Sequence, residues 1–284
     1  MFKIWVIQNQ LFKISDIYRI DGNRKDETMR YGLIGEKLGH SYSKLIHEQI
    51  AEYTYDLIPL SKEEFADFME RKDFTAINVT IPYKQAVIPY LDELDPLARE
   101  IGAVNTIVKR GGRYIGYNTD FFGFQYMLEY YNIAINNRKC LVLGSGGTSR
   151  TVRAVLRHLG ASQVLAVSRQ RTEGTISYED CLQNHPDAQV IVNTTPLGMY
   201  PRTEASPIDL VPFTQCTAVA DAIFNPLETR LTMQAKELGM KGVTGLIMLV
   251  AQAKQAIEYF LDQKLEDSVI EDTHRYLLEA LKLQ

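Results

Sequence analysis

Short apolar runs alternate with amphipathic stretches along most of this 284-residue chain, beginning near residue 29. Residues 31–35 and 55–59 are apolar runs of strand length, and residues 44–53 between them predict a helix. Ser61 and Glu64 have the spacing of a capping box, which indicates the start of a second helix. Strands that alternate with helices are typical of a mostly parallel sheet covered by helices.

The alternation continues with a strand predicted at 77–81, a helix that starts at Asp95-Pro96 and stops at Gly102, and a hairpin that turns at Gly111-Gly112. It restarts after residue 131. Residues 139–160 predict a strand, a glycine turn, a helix and a glycine stop. Three more strands are predicted at residues 162–169, 188–195 and 217–224, and the chain is mostly helical from residue 246. The pattern therefore predicts an α/β protein of two successive units.

Residues 1–28 stand apart from this pattern. Charges are scattered through them, and they contain no apolar block of signal-peptide length. Met29 comes directly before the first predicted strand. We expect a dispensable extension or an upstream start codon; the alternative is an added strand or helix that packs on the first unit.

Composition and charge exclude several classes of protein. Hydrophobic residues make up 45% of the chain and charged residues 23%, which excludes disordered and fibrous classes. The formal net charge is −4 and the basic residues are dispersed, so neither a nucleic-acid face nor a polybasic membrane patch is predicted. The longest apolar run, near residue 250, is too short to span a bilayer. Composition and net charge do not exclude small anionic ligands, because their binding depends on the local placement of arginines.

The three cysteines, Cys140, Cys181 and Cys216, lie far apart and lack metal-ligand spacing. They predict reduced thiols in a cytoplasmic protein, without a disulfide framework or a metal site.

A glycine loop follows the apolar residues 141–143. Gly144 suits a tight turn, Gly146 lets backbone amides approach a pyrophosphate, and Gly147 opens a helix whose N-terminus faces that charge. The flanking strand and helix favour a dinucleotide site over a simple glycine turn. The candidate cofactor contacts in this loop are Gly144, Ser145, Gly146, Gly147 and Thr148.

The end of the second strand of this unit indicates which dinucleotide binds. An NAD site has an acidic residue there for the ribose hydroxyl. Here Ser168 is followed by Arg169 and Arg171, with no carboxylate before Glu173. Two guanidinium groups suit a 2′-phosphate, so NADP is favoured; the alternative is that both arginines are ordinary exposed loop charges.

Eight short motifs occur in an order that resembles the shikimate dehydrogenase family, from about residue 29 to the end. They are GEKLGHSYSKLIH, NVTIPYK, GAVNT, NTD, GSGGTSR, NTTPLGM, FNPLET and GLIMLVAQA. The resemblance implies NADP-dependent reduction of 3-dehydroshikimate to shikimate in aromatic amino acid biosynthesis. It also implies a substrate-binding domain (29–120 and 245–284), an NADP-binding Rossmann domain (121–244), and C-terminal helices that return to the first domain.

The resemblance assigns roles to individual residues. Ser41 and Ser43 would bind the substrate carboxylate, although the same hydroxyls could cap the helix that follows. The ring hydroxyls would be held by Thr80, Asn105, Asp120 and Gln252. The nicotinamide end of the cofactor would be seated by Thr194, Thr195, Gly245 and Met248.

Lys84 and Asp120 match the catalytic pair of the family. Taken alone, Lys84 follows a strand end and a proline and resembles a solvated turn lysine. An unperturbed lysine is protonated at neutral pH, because its pKa is about 10.4. Such an ammonium group suits proton donation to a carbonyl oxygen, and a neighbouring carboxylate would keep it charged and oriented.

Two departures from the family pattern affect this interpretation. Phe224 stands where the family usually has a tyrosine whose hydroxyl reaches toward the substrate carboxylate, which predicts a raised Michaelis constant. Residues 169–177 have no room for the helix that the family places between its second and third Rossmann strands. The adenosine end of the site is therefore expected to be more open.

Three alternatives stay open at this stage. A quinate or dual shikimate/quinate dehydrogenase would have the same fold. A catalytically silent NADP-binding regulator would need neither Lys84 nor Asp120. A Rossmann enzyme for an unrelated ligand would leave the first-domain motifs unexplained. A monomer or a homodimer is expected in each case.

Overall fold

The computed structural model describes residues 30–39, 41–170 and 173–282, so the extension 1–28 and Arg171 lie outside the described residues. Its strands are β1 (Tyr31–Gly35), β2 (Tyr55–Pro59), β3 (Ala76–Val79), β4 (Glu93–Leu94), β5 (Thr106–Arg110), β6 (Arg113–Tyr117), β7 (Lys139–Leu143), β8 (Gln163–Val167), β9 (Thr175–Ile176), β10 (Val190–Asn193), β11 (Ala218–Asp221) and β12 (Lys241–Thr244). Its α-helices are α1 (Ser43–Ile50), α2 (Lys62–Arg71), α3 (Pro96–Ile101), α4 (Asp120–Tyr130), α5 (Gly147–His158), α6 (Tyr178–Asn184), α7 (Arg230–Glu237), α8 (Leu246–Leu261) and α9 (Ser268–Lys282).

The strands form two six-stranded sheets, which agrees with the predicted α/β class. The first has the order β2-β1-β3-β5-β6-β4, and three of its five pairings are parallel. The second, β12-β11-β10-β7-β8-β9, is parallel throughout. In a parallel sheet the carboxyl ends of neighbouring strands share one edge, where ligands usually bind.

Local signals account for most element boundaries. Ser61 and Glu64 form the predicted capping box at the start of α2. Asp95 caps α3 by accepting a hydrogen bond from the Leu97 N–H, and Gly102 ends this helix in the left-handed conformation, with φ of 68°. The predicted hairpin turn connects β5 and β6.

Two boundaries differ from the sequence-based expectation. The first helix ends at Ile50, three residues early, because Ala51 is already extended. The strand predicted at 77–81 ends at Val79. The chain turns directly afterwards, since the Tyr83 N–H donates to the Thr80 carbonyl.

The expectation that no helix lies between β8 and β10 was wrong, whereas the more open adenosine end stays a prediction. The described residues of 169–177 contain no helix and include the short strand β9, but α6 follows immediately. The Ser177 hydroxyl accepts a hydrogen bond from the Asp180 N–H, which caps this seven-residue helix. Cys181 is its only fully buried side chain, so its apolar period is too weak to identify from sequence.

Helices α4 and α8 connect the two sheets. Phe124 and Met127 on α4 and Ile247 on α8 share one core cluster with Val190 and Val192 of the second sheet. Farther along α8, the residues Ala256 and Phe260 pack in another cluster against side chains of the first sheet: Tyr31, Leu33, Tyr55 and Val108. The C-terminal helices therefore return to the first sheet, as the resemblance implied.

The cysteines are buried and unpaired. Burial raises the pKa of the Cys140 thiol to about 12 and those of Cys181 and Cys216 to about 11, so these groups stay protonated at neutral pH. Within the described ranges, no three His, Cys, Asp or Glu side chains are grouped to hold a metal ion. No helix in the same ranges is both long and apolar enough to cross a membrane.

His47 on α1 is a fully buried histidine. Its ring stacks on Tyr55 at 4.0 Å between centroids, and Nδ1 lies 2.6 Å from the Tyr53 hydroxyl. Nε2 is buried, with no hydrogen-bond partner within the part of the chain that is described. Burial lowers the pKa of His47 from 6.5 to about 3.

We predict that His47 reduces stability as the pH falls below 6.5. The unfolded chain then binds a proton that the folded chain does not, so unfolding is favoured by about 1 kcal/mol for each pH unit down to about pH 3. Chemical denaturation between pH 7 and 4 should show a shallower pH slope for His47→Gln. The exposed His158 supplies the control, and His158→Gln should keep the wild-type slope; equal slopes for all three proteins would contradict the prediction.

Candidate active site

Lys84 and Asp120 meet in space although 36 positions separate them in the chain. Lys84 lies in the turn after β3, where its backbone carbonyl accepts a hydrogen bond from the Val104 N–H. Asp120 is the first residue of α4. Lys84 Nζ lies 2.5 Å from Asp120 Oδ2, and the two side chains are only 13% and 9% exposed. The carboxylate therefore orients the ammonium group in a partly desolvated place, which suits proton transfer.

The side chain of Lys84 also lies against the glycine loop of the second sheet. A Cβ built on Gly147 would be 3.4 Å from both Cβ and Cδ of Lys84, which is ordinary van der Waals contact. Gly147 is the first residue of α5, directly after the predicted pyrophosphate loop. The Lys84–Asp120 pair and the glycine loop are thus neighbours in the folded chain.

Asn105 and Gln252 are joined through Thr119, the residue before Asp120. Thr119 N–H donates to Asn105 Oδ1 at 2.7 Å, and Asn105 Nδ2 donates to the Thr119 hydroxyl at 3.0 Å. That hydroxyl lies 3.3 Å from Gln252 Oε1. Gln252 Nε2 is held in turn by the Leu249 carbonyl at 2.8 Å. The structure thereby brings Asn105, Gln252 and Asp120 into one group.

Sequence reasoning missed the residues that support this group. Asn78 Nδ2 donates to the Thr106 hydroxyl at 3.0 Å, and Asn78 Oδ1 accepts from the Tyr55 hydroxyl at 2.7 Å. The Thr106 hydroxyl donates to Asn105 Oδ1 at 3.1 Å. Each of Asn78, Thr106 and Thr119 is buried. The available signal was that Thr106 and Thr119 are chain neighbours of predicted site residues and that all three lie near strand ends.

The predicted carboxylate-binding serines lie at the start of α1. Ser41 Oγ accepts a hydrogen bond from the Ser43 N–H at 3.2 Å, so Ser41 partly serves as a cap. The ring of Tyr42, between them, lies 5.4 Å from the ring of Phe224 between centroids. The loop after β11 therefore reaches the serine loop of the first sheet.

Thr80 lies just beyond β3, and its backbone N–H donates to the Ile34 carbonyl at 2.9 Å. Its methyl group occupies the space where a side chain on Gly35 would lie, since a Cβ there would be 2.5 Å from Thr80 Cγ2. Thr80 is half-buried and borders the turn that carries Lys84.

The glycine loop is tightly turned and open on one side. Gly144 has φ of +114°, and a Cβ there would lie 2.7 Å from Thr194 Oγ1. A Cβ on Gly146 would meet nothing within 4 Å, so this side of the loop is open to a ligand. The Ser149 hydroxyl donates to the Gly144 carbonyl at 2.7 Å and fixes the turn. Ser145 is exposed and Thr148 half-buried at the start of α5, whose N-terminus attracts anions.

The end of β8 lies beside this loop. Ser168 Oγ is 3.4 Å from Ser145 Oγ, and Ser168 is buried. Arg169 is exposed directly after it. Arg169 therefore directly follows a residue that lies against the glycine loop, whereas Arg171 lies outside the described residues.

The remaining predicted cofactor positions lie at the carboxyl edge of the second sheet. The Thr194 hydroxyl donates to the Leu143 carbonyl at 2.6 Å, and the Thr195 N–H donates to Asn193 Oδ1 at 2.9 Å. Gly245 approaches the loop after β11 so closely that a Cβ would lie 2.5 Å from the Ala222 carbonyl oxygen. Met248, which is 6% exposed, lies in the first turn of α8.

Comparisons with known proteins agree with this geometry. Residues 33–107 match the family model described as the shikimate dehydrogenase substrate binding domain. A Clostridium perfringens protein named shikimate dehydrogenase (NADP(+)) is 35% identical over 264 residues, which cover 87% of this chain and 97% of the relative.

Solved structures show the same architecture. A chorismate mutase/shikimate 5-dehydrogenase fusion protein from Clostridium acetobutylicum superimposes with a TM-score of 0.83 at 36% identity, covering 90% of this chain and 100% of that chain. Shikimate 5-dehydrogenase from Thermus thermophilus, solved in complex with NADP(H) and shikimate, gives a TM-score of 0.77 at 30% identity, covering 87% and 99% respectively.

Two glycines of the loop should respond differently to a methyl group. Gly144→Ala places a side chain at positive φ and against Thr194, so we expect a lower melting temperature. Gly146→Ala has open space and should melt like the wild type, while its methyl group obstructs a pyrophosphate and weakens dinucleotide binding. Thermal melts and calorimetric titration with NADP+ would check both. Equal melting temperatures for the two variants would contradict the structural assignment.

Proposed function

The chain belongs to the shikimate dehydrogenase family, and from this premise we propose that it catalyses the reversible NADP-dependent reduction of 3-dehydroshikimate to shikimate. The reaction adds a hydride to a carbonyl carbon and a proton to the carbonyl oxygen. Bound NADPH supplies the hydride. The chain's own residues must therefore bind and orient the substrate and deliver the proton.

The position of the Lys84–Asp120 pair is the observation that supports this proposal most strongly. The pair lies in a partly buried place, and the stem of Lys84 packs against Gly147 of the dinucleotide loop. A reductase needs its proton donor and its hydride source on the same carbonyl group. A protein that only bound NADP would need no ion pair at this position.

We assign the proton step to Lys84. Its ammonium group donates a proton to the carbonyl oxygen as that oxygen becomes an alcohol, and it recovers a proton from solvent after turnover. Asp120 accepts a hydrogen bond from Lys84 Nζ through Oδ2, which fixes the direction of the ammonium group. The second oxygen of Asp120 is then free to bind a neighbouring hydroxyl of the substrate.

The other substrate contacts follow from the groups around this pair. Asn105 and Gln252 are held by Thr119 in fixed orientations, which suits recognition of ring hydroxyls. Asn105 Nδ2 and Gln252 Nε2 each use one N–H in these contacts, so a hydroxyl missing from a wrong substrate would leave the second N–H without its partner, which opposes binding. Ser41 and Ser43 are assigned to the carboxylate, and Thr80 to a hydroxyl beside Lys84.

The assignment of the substrate to the domain of the first sheet and of NADP to that of the second is also a proposal. Residues 29–120 with 245–284 would form the substrate-binding domain, and residues 121–244 the NADP-binding domain. The family match over residues 33–107 supports the first assignment, and the glycine loop with Arg169 supports the second. Three buried free thiols support a reducing, cytoplasmic location.

Removing the proton donor should abolish turnover without abolishing cofactor binding. We expect Lys84→Ala and Asp120→Asn each to lower kcat by about 100-fold or more, since positioned acid catalysis contributes about that factor. NADP+ affinity should stay within about threefold of wild type, and the exposed Lys62→Ala variant should behave like wild type. The assay follows reduced nicotinamide absorbance with shikimate or quinate and with NADP+ or NAD+.

Three outcomes of that assay would contradict the proposal. Turnover of Lys84→Ala above a tenth of the wild-type rate would exclude the assigned proton donor. Faster oxidation of quinate than of shikimate would favour the quinate alternative. NADP+ binding by wild type without oxidation of either substrate would indicate a silent regulator.

Phe224 gives a test of substrate binding. Phe224→Tyr supplies a hydroxyl beside the serine loop, and a hydrogen bond to a charged group contributes about 1.5–3 kcal/mol. We expect the KM for shikimate to fall by about tenfold or more, with kcat little changed. Tyr42→Phe, which removes the hydroxyl of the neighbouring ring, is the matched control and should leave KM within about twofold. An unchanged or higher KM for Phe224→Tyr would show that the absence of this hydroxyl does not weaken substrate binding.

A further inference from the structure

Asp221 is a buried carboxyl group for which the proposed reaction has no direct use. It is the last residue of β11 and is 0% exposed. Its register partners are Asn193, at the end of β10, and Thr244, at the end of β12. Asp221 therefore lies at the carboxyl edge of the second sheet, between the two strands whose following loops contain the predicted nicotinamide contacts.

The two oxygens of Asp221 hold the loops after β10 and β11 together. Oδ1 accepts hydrogen bonds from Asn193 Nδ2 and from the Ile223 N–H, each at 3.0 Å. Oδ2 accepts from the Thr229 hydroxyl at 2.8 Å, and Thr229 caps α7. The loop after β11 is thus fixed at both of its ends by one carboxyl group.

The same contacts extend to the neighbouring loops. Asn193 Oδ1 accepts from the Thr195 hydroxyl at 2.7 Å as well as from its N–H, so the orientation of Asn193 sets that of Thr195. The Ile223 carbonyl accepts from the Gly245 N–H at 2.8 Å. Through Asn193 and Ile223, Asp221 therefore helps to fix the positions of Thr195 and Gly245 without touching either residue. Phe224 directly follows Ile223 in the chain.

A carboxyl group at this position is unfavourable for stability. Burial raises the pKa of Asp221 to about 6, although hydrogen bonds from Ile223, Thr229 and Asn193 act in the opposite direction. All three partners are neutral groups, so no cation offsets the loss of water. The three donors are instead arranged around two acceptor oxygens. An amide nitrogen in the place of Oδ2 could pair with Thr229 only if that hydroxyl turned to accept, so the hydrogen bond that the hydroxyl now donates would be lost.

We propose that Asp221 is a positioning residue for hydride transfer, whose carboxyl group fixes the loops that form the nicotinamide side of the NADP site. This inference rests on the proposed function, because it takes the ligand at this edge to be NADP. The glycine loop and Arg169, which would bind the pyrophosphate and the 2′-phosphate, have no described contact with Asp221. Loss of Asp221 should therefore disturb one end of the cofactor and leave the other end bound.

The test compares a whole cofactor with its adenosine end. Calorimetric titrations with NADP+ and with adenosine 2′,5′-bisphosphate would be made on wild type, Asp221→Ala and Val219→Ala. Val219 is a buried apolar residue of the same strand, whose side chain can make no hydrogen bond to either loop. Its variant therefore reports a loss of core packing without the loss of those hydrogen bonds. We expect Asp221→Ala to bind NADP+ about tenfold more weakly and the bisphosphate within about twofold, and Val219→Ala to bind both like wild type.

The isosteric variant covers the case in which Asp221→Ala does not fold. Asp221→Asn keeps one acceptor oxygen, so it should lose NADP+ affinity by about threefold and show a larger primary deuterium isotope effect with 4-deuterated NADPH than wild type. Equal losses for both ligands would mean a general structural role and would overturn the inference. Unchanged binding of both ligands with an unchanged isotope effect would overturn it as well.

The binding arm of this test does not depend on the identity of the substrate. If wild type oxidised neither shikimate nor quinate, the proposed function would fail, while the comparison between NADP+ and the bisphosphate would still report on Asp221. If turnover followed the proposed function and the two ligands responded equally to Asp221→Ala, only the inference about Asp221 would fail.

Discussion

The close approach of helices α4 and α8 is the constraint on which the rest of the structure depends. A Cβ on Gly123 would lie 2.7 Å from the Met248 carbonyl oxygen and 2.9 Å from Gln252 Cβ, so the two helices can touch here only because position 123 has no side chain. Asp120 lies one turn before this contact, and Gln252 lies on the facing helix. The separation of the helices therefore sets the distance from the ion pair to the polar groups of α8.

Buried hydrogen bonds then hold these groups in one arrangement. The series from Tyr55 through Asn78 and Thr106 to Asn105 lies within the first sheet, and Thr119 connects it to Gln252 on α8. Polar groups that satisfy each other in a low-dielectric interior have few alternative orientations. The side chains assigned to the substrate are consequently oriented by the protein before a ligand arrives, which is the condition for effective positioning. In the second sheet, the hydrogen bonds of Asp221 hold the loops after β10 and β11 in a comparable way.

Local sequence signals predicted the elements well where each signal is self-contained. The capping box of α2, the proline and glycine that bound α3, and the paired glycines of the β5–β6 hairpin depend on residues within one or two turns of each other. Helix α6 lacked such a signal, because one buried cysteine makes no apolar stripe. Asp221 was missed for a different reason: a polar residue at a strand end has the same sequence pattern whether it faces water or fixes two loops.

By itself, the sequence determined the alternation of strands and helices, the glycine loop, and the kinds of residue available for chemistry. These properties depend on backbone preferences and on the period of apolar side chains, which act over a few residues. Only the tertiary structure decided that Lys84 meets Asp120, that its stem rests on Gly147, and that Thr119 joins Asn105 to Gln252. These distances depend on how α4 and α8 pack the two sheets together, and no local sequence pattern specifies that packing.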